Sequence, residues 1–215
     1  MAIGKAIVFE NRDKYKTPKK TTANANEEIN NFTNALPVAI EKIEILKRKL
    51  AINLPKDELE IFESYSAMVN DPEVIEKTIS LIDNYNCNAD FAYYEISKEF
   101  IETLEQIDDP YLKQRAEDLK MISKMIIEIL QGNKYNSQDL SSPSIVVAEK
   151  INTAQLAELN QEYLLGLITS KGGITDHTSI IAKALGIPYL LEVKEAHQKI
   201  KTNDLLVIDS KNNCV

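Results

Sequence analysis

The sequence predicts an α/β domain whose chain is interrupted by an inserted all-helical domain. Three observations predict it. Apolar residues pass from strand-like runs to helical spacing and back, charge changes at the same places, and proline-led helix starts punctuate the middle block. The chain has 215 residues, 44% of them hydrophobic, and a formal net charge of −8. Between Asn24 and Gln131 lie 22 acidic and 11 basic side chains, whereas the flanks hold 11 acidic and 14 basic. The expected bounds are 1–20 with 144–215 for the α/β domain and 21–143 for the helical one.

Taken in order, Ile3 to Phe9 reads as a short strand, followed by a lysine-rich loop through Lys20 that contains Pro18. Ile29, Phe32, Leu36, Ile40, Ile43, Leu46 and Leu50 then form one amphipathic stripe, in which Pro37 is expected to kink the helix or mark a boundary. Leu59 to Val69 and Pro72 to Tyr85 are the next helical segments. Asn70-Asp71-Pro72 separates them, with Asp71 as N-cap and Pro72 at the first helical position. Ala89 to Ile107 and Tyr111 to Leu130 pair around Asp108-Asp109-Pro110, and Gln131-Gly132-Asn133 ends the block. Long helices on short connections favour an antiparallel bundle. From Ser144 onward, Ile145–Ala148, Leu164–Thr169, Ile187–Val193 and Leu205–Ile208 are β-type runs separated by helical or turn segments, and the opening strand is expected to join them.

Several classes are excluded at once. No run of 18 apolar residues is present, which argues against a membrane span, and the opening residues do not make a signal peptide. Cys87 and Cys214 have no ligand spacing around them and read as free cytosolic thiols, and neither His177 nor His197 has a metal-ligand set nearby. His197 itself reads as a solvated helix residue. The acidic middle block argues against nucleic acid and for a basic protein partner, although an acidic surface that merely keeps a helical domain soluble fits the charge equally well.

The segment with chemistry is Gly172-Gly173-Ile174-Thr175-Asp176-His177-Thr178-Ser179-Ile180-Ile181-Ala182-Lys183. A glycine pair permits close backbone approach, and a helix start offers free N–H groups and a positive dipole end. Imidazole, with an ordinary pKa near ~6.5, supplies a neutral nucleophilic nitrogen at physiological pH. This order of residues points to a phosphoryl group carried on His177, with Gly172, Gly173, Thr175 and Thr178 positioning it. Ile180, Ile181, Ala184 and Leu185 have the spacing of the helix's buried face. A lone histidine beside a Gly-Gly turn is also a common polar turn residue, so the pattern alone leaves that alternative open.

The same twelve residues, continued by Leu185-Gly186-Ile187-Pro188, resemble the phosphohistidine signature of the phosphoenolpyruvate-utilising enzymes. Ala2-Ile3-Gly4-Lys5-Ala6, the stretch from Asp108 to Asp118, and Asn203 to Asp209 are similar to motifs of the enzyme I branch, the first component of the sugar phosphotransferase system. The resemblance implies the amino-terminal half of such an enzyme. It would comprise an α/β phosphohistidine (swivelling) domain with an inserted four-helix-bundle-like domain that docks the phosphocarrier HPr. It implies a cytoplasmic phosphotransferase with no cofactor in this part. Magnesium would serve a carboxy-terminal phosphoenolpyruvate-binding barrel lying beyond Val215, and this part alone is expected to be a monomer.

Carried over by position, the resemblance gives Lys183 the place of the family's arginine in phosphate positioning and gives Asp176 the place of its serine. It sets Leu156 where the family has a threonine that supports the histidine. The acidic, partly apolar segment from Asp57 to Glu73 is the expected docking surface, with Glu60, Glu63, Ala67, Met68 and Glu73 as contacts; helical spacing fits Met68 in the bundle core equally well. The runner-up reading is a divergent regulatory or adaptor domain that binds a phosphocarrier without efficient transfer. A dikinase-type member of the same superfamily is the third, and the order of the helical insertion speaks against it.

Overall fold

The computed structural model describes residues 1–9, 17–52, 54–132, 140–174, 176–209, 212 and 214–215. Parts of the expected lysine-rich loop, Asn133 and Thr175 lie outside these described residues. The chain sorts into two compact units. One comprises Met1–Asp13, Leu46–Glu60 and Ser137–Val215, and the other Lys14–Ile45 and Ile61–Asn136.

The first unit is built on a five-stranded sheet in the order β4-β3-β2-β1-β5. The strands are β1 (Ala2–Phe9), β2 (Ser144–Ala148), β3 (Leu164–Thr169), β4 (Tyr189–Leu190) and β5 (Leu205–Ile208). β1 runs parallel to β2, pairing Lys5 with Ser144 through Phe9 with Ala148, while β5 runs antiparallel on its other side. β2–β3 and β3–β4 are parallel. Successive strand residues face opposite sides, so Ile145 and Val147 share one face with Ala6, Ile168 and Ile208, where Ala196 also packs. Val146 and Ala148 face the other way and are equally buried. A sheet covered on both faces reads as a continuous apolar run, which is why β2 shows no alternation.

The expected strand over 187–193 shrinks to Tyr189–Leu190. Pro188 removes a ladder donor on one side, and Glu192 takes a positive φ of 57° on the other. Short helices fill the crossovers: α6 (Thr153–Glu158), α7 (His177–Ala184) and α8 (Ala196–Lys199). α6 is fixed by a reciprocal cap in which the Asn152 side chain accepts the Gln155 N–H and Gln155 accepts the Asn152 N–H.

The helical unit draws on α1 (Ala25–Leu50), α2 (Lys56–Val69), α3 (Pro72–Tyr85), α4 (Ala89–Gln106) and α5 (Pro110–Leu130). α1 runs unbroken through Pro37, so no boundary falls there. The proline lies on the exposed side, and the opposite side buries Phe32, Ala35, Leu36, Ala39 and Ile43. Asp71 caps α3 by accepting the Glu73 and Val74 N–H groups, and Asp109 caps α5 by accepting that of Leu112. α4 packs on both α3 and α5.

The core of this unit is aromatic. Phe32 meets Tyr93 at 5.6 Å between ring centres, and Phe62 meets Tyr65 edge-on at 5.7 Å. The buried carboxylate of Asp118 accepts the Tyr65 hydroxyl at 3.3 Å and pairs with Arg115 at 3.6 Å. Among the described residues no helix is long and apolar enough to cross a membrane.

Candidate active site

His177 is the first residue of α7, immediately after a turn whose geometry is set from within. Gly172 takes a φ of +136°, a conformation open essentially to glycine alone. The Asp176 carboxylate accepts the Gly173 N–H at 2.7 Å, and the Asp176 N–H donates to the Gly173 carbonyl at 3.1 Å. The Ser179 hydroxyl donates to that carbonyl at 2.7 Å. Together these bonds close the turn and deliver His177 to the head of the helix, whose first-turn N–H groups and dipole favour an anion. The imidazole is half-buried, and its Nδ1 is shut off from solvent.

Two further elements fix the surroundings. Thr178 is buried, with its hydroxyl 3.4 Å from that of Thr153 on α6. The threonine that faces α7 is therefore Thr153, and Leu156, at the position expected to match the family's threonine, is fully buried.

Beneath the glycine turn, Thr169 and Tyr189 share a hydroxyl–hydroxyl bond at 3.1 Å. Burial, with a contribution from the Asp176 charge, pushes the Tyr189 phenol up to about 12. Beside the turn, Lys171 pairs with Glu149 at 2.6 Å and holds that carboxyl below its usual range.

Of the residues expected to position phosphate, Gly172 and Gly173 lie in the turn before His177, and Thr178, next along α7, is buried with its hydroxyl toward Thr153. Thr175 lies outside the described residues. Lys183 stands exposed in the last turn of α7, six residues on and roughly 9 Å along the helix axis. The buried side of α7 also differs from expectation. It is formed by Thr178, Ser179, Ile181 and Ala182, with Ala184 exposed, because the helix is only two turns long and its first turn packs inward. His197 is more than a solvated helix residue, since its Nδ1 lies 2.6 Å from the Ser170 hydroxyl at the end of β3.

On α2 and α3, Glu60, Glu63, Ala67 and Glu73 are exposed. Met68 is partly buried against Ile101, Ala116 and Leu119, with Phe100 and Leu104 beside it. Sequence reasoning overlooked the corner between α4 and α5, where Ile107 and Tyr111 are exposed at 43% and 63%. The signal was present, since both apolar residues flank the polar Asp108-Asp109-Pro110 turn rather than the helix stripes. Both cysteines are free, Cys87 buried and Cys214 exposed. Among the described residues no group of histidine, cysteine and carboxylate side chains is arranged to hold a metal ion.

The family described as PEP-utilising enzyme, N-terminal, matches residues 1–115, and the PEP-utilising enzyme mobile domain matches residues 140–213. The phosphoenolpyruvate-protein phosphotransferase of Buchnera aphidicola is 32% identical over 99% of this chain and 37% of its own length. That of Bacillus subtilis is 31% identical over 100% of this chain and 38% of its own. The chain thus spans less than half the length of these curated relatives. Among solved structures, the solution NMR structure of an Enzyme I (nEIt) protein is 34% identical with a TM-score of 0.76, covering 97% of this chain and 85% of that one. The N-terminal domain of Enzyme 1 - Nitrogen, at 22% identity and a TM-score of 0.66 over 95% and 88% of the two chains, shares the fold. With a diglycine turn leading into His177 and both matches running in order along it, the chain belongs to the PEP-utilising enzymes, as the N-terminal part of their enzyme I branch.

Proposed function

We propose that this chain carries a phosphoryl group on Nε2 of His177 and exchanges it with the phosphocarrier HPr, as the amino-terminal part of a phosphoenolpyruvate-protein phosphotransferase. The observation that carries the reading is the placement of His177 at the first position of α7, behind a self-locked diglycine turn, with Nδ1 closed to solvent. Phosphoryl transfer needs positioning and charge stabilisation more than covalent assistance. The turn supplies the first and the helix start the second. In the step itself, the Nε2 lone pair forms the new P–N bond while the carrier's P–N bond breaks and leaves its electron pair on the carrier nitrogen. One proton is given up by this ring and one is taken up by the carrier's, so both imidazoles end neutral.

In this reading the α/β unit is the swivelling phosphohistidine domain and the helical unit is the HPr-binding domain. The exposed acids Glu60, Glu63 and Glu73 steer a basic carrier, and Ala67, partly buried Met68, Ile107 and Tyr111 offer it apolar contact. The phosphoenolpyruvate-binding barrel is supplied by the longer enzyme, and this part alone is a cytoplasmic monomer. Two free thiols are in keeping with a reducing compartment.

The test is incubation with phosphorylated HPr, followed by measurement of acid-labile phosphate on this chain. Wild type is expected to label, and His177→Ala to remain unlabelled while still binding HPr. Labelling of His177→Ala to the wild-type extent would remove the proposal. The adaptor reading draws support from Asp176, whose carboxylate occupies the Gly173 amide. Saturable HPr binding without transfer at any pH would favour it.

A further inference from the structure

The residue before His177 departs from the family pattern, and its surroundings give the departure a consequence. A carboxylate oxygen of Asp176 sits 2.7 Å from the Gly173 nitrogen, on the amide a phosphate oxygen would otherwise approach. The diglycine turn thus already holds an anion belonging to the chain itself, although that carboxylate makes no cap bond to α7. Serine, usual at this position in the family, would offer a neutral hydroxyl. The Asp176 charge acts across the turn, since it adds to the burial that keeps the Tyr189 phenol protonated. Nearby cations are engaged or distant: Lys171 is bonded to Glu149, and Lys183 stands in the last turn of α7.

Resting on the phosphohistidine reading, we propose that Asp176 is a positioning residue that sets the phosphoryl-transfer potential of His177. Its carboxylate holds the diglycine turn closed in the unphosphorylated protein, and its charge repels the phosphoryl group once that group is on Nε2. Phosphate is therefore held loosely and handed on readily. The exchange is the one balanced above, phosphoryl one way and one proton the other, and it needs no co-reactant. What Asp176 changes is the position of the equilibrium between this chain and its carrier.

The experiment compares wild type, Asp176→Asn and Asp176→Ser, each equilibrated with fixed ratios of phosphorylated to unphosphorylated Bacillus subtilis HPr and read by phosphorus NMR. Asparagine keeps an oxygen to accept the Gly173 N–H and removes the charge, so it isolates electrostatics from turn geometry. The equilibrium constant is expected to move about tenfold toward phosphorylated His177, as one nearby like charge commonly does to an ionisation. The difference from wild type should narrow as salt is raised, which a merely structural role would not produce. Asp176→Ser should move the same way and serves if the asparagine loosens the turn. Equilibrium constants within twofold of wild type for both variants, while wild type labels normally, overturn this inference and leave the phosphohistidine reading intact. A wild type that takes up no phosphate at any ratio overturns both.

Discussion

Replacing Gly172 with alanine tests the turn that presents His177. Its φ of +136° falls where a side chain is strained whatever the space around it. The added β-carbon would meet Leu191 Cδ2 at 3.2 Å, the movable end of a side chain, with Asp176 Oδ2 and Thr169 Oγ1 at 3.7 Å. Steric overlap is therefore minor, and the backbone sets the cost, roughly 2 kcal/mol for a residue forced into so sparse a region. For a chain of this size that corresponds to a fall in melting temperature of about 4–8 °C. Gly186 provides the comparison. It has a φ of +70° and nothing within 4 Å of its would-be β-carbon, so alanine there pays only the ordinary left-handed penalty of about 1 kcal/mol. Differential scanning calorimetry of both variants reads the contrast. A Gly172→Ala transition within 1 °C of wild type, or a smaller loss than Gly186→Ala shows, would refute the reasoning.

Further outcomes follow from particular side chains. The Tyr189 phenol, raised from the ordinary 10.0 to about 12, stays neutral in the folded chain while the unfolded chain ionises first. Its contribution is full below pH 10 and is lost as pH climbs toward 12, by about 2–3 kcal/mol at the limit. Tyr189→Phe should therefore flatten the alkaline decline seen by urea titration at pH 9 and pH 11. Native protein should react with a thiol reagent at Cys214 and not at Cys87, whose thiol burial pushes up, with the second equivalent appearing on unfolding; mass spectrometry assigns each. Thr153→Val removes the hydroxyl facing Thr178 and should slow transfer from phosphorylated HPr several-fold while leaving HPr affinity unchanged, measured by rapid quench and by titration calorimetry.

The helical unit was legible in the sequence because its signals are local. Asp71-Pro72 and Asp109-Pro110 place a side-chain acceptor and a proline lacking an N–H at successive positions, and both helices begin there. Pro37 misled because proline reports only on its own backbone. Burial along the opposite side of α1 holds that helix through the missing hydrogen bond. At the candidate site, the diglycine and His177 were legible as a run of adjacent residues. Thr153, the Thr169–Tyr189 bond and the Ser170–His197 contact were not, since each joins residues 20 or more positions apart. Asp176 was visible as a departure, but its partner was not. Whether a carboxylate turns toward the imidazole or back to a glycine amide is decided by the turn's dihedral angles, which composition does not encode.

The opening strand occupies an inner position of the sheet, although it precedes all of its partners along the chain. Lys5 pairs with Ser144 and Ala2 with Ile208, so β1 waits for partners about 140 and 200 residues downstream. The α3–α4–α5 contacts, by contrast, join helices consecutive in the chain and close early during synthesis. A nascent polypeptide stalled after Leu130 would thus already hold packed helices while β1 stayed unpaired, and that apolar strand is where a chaperone or a stray neighbour would find its first purchase.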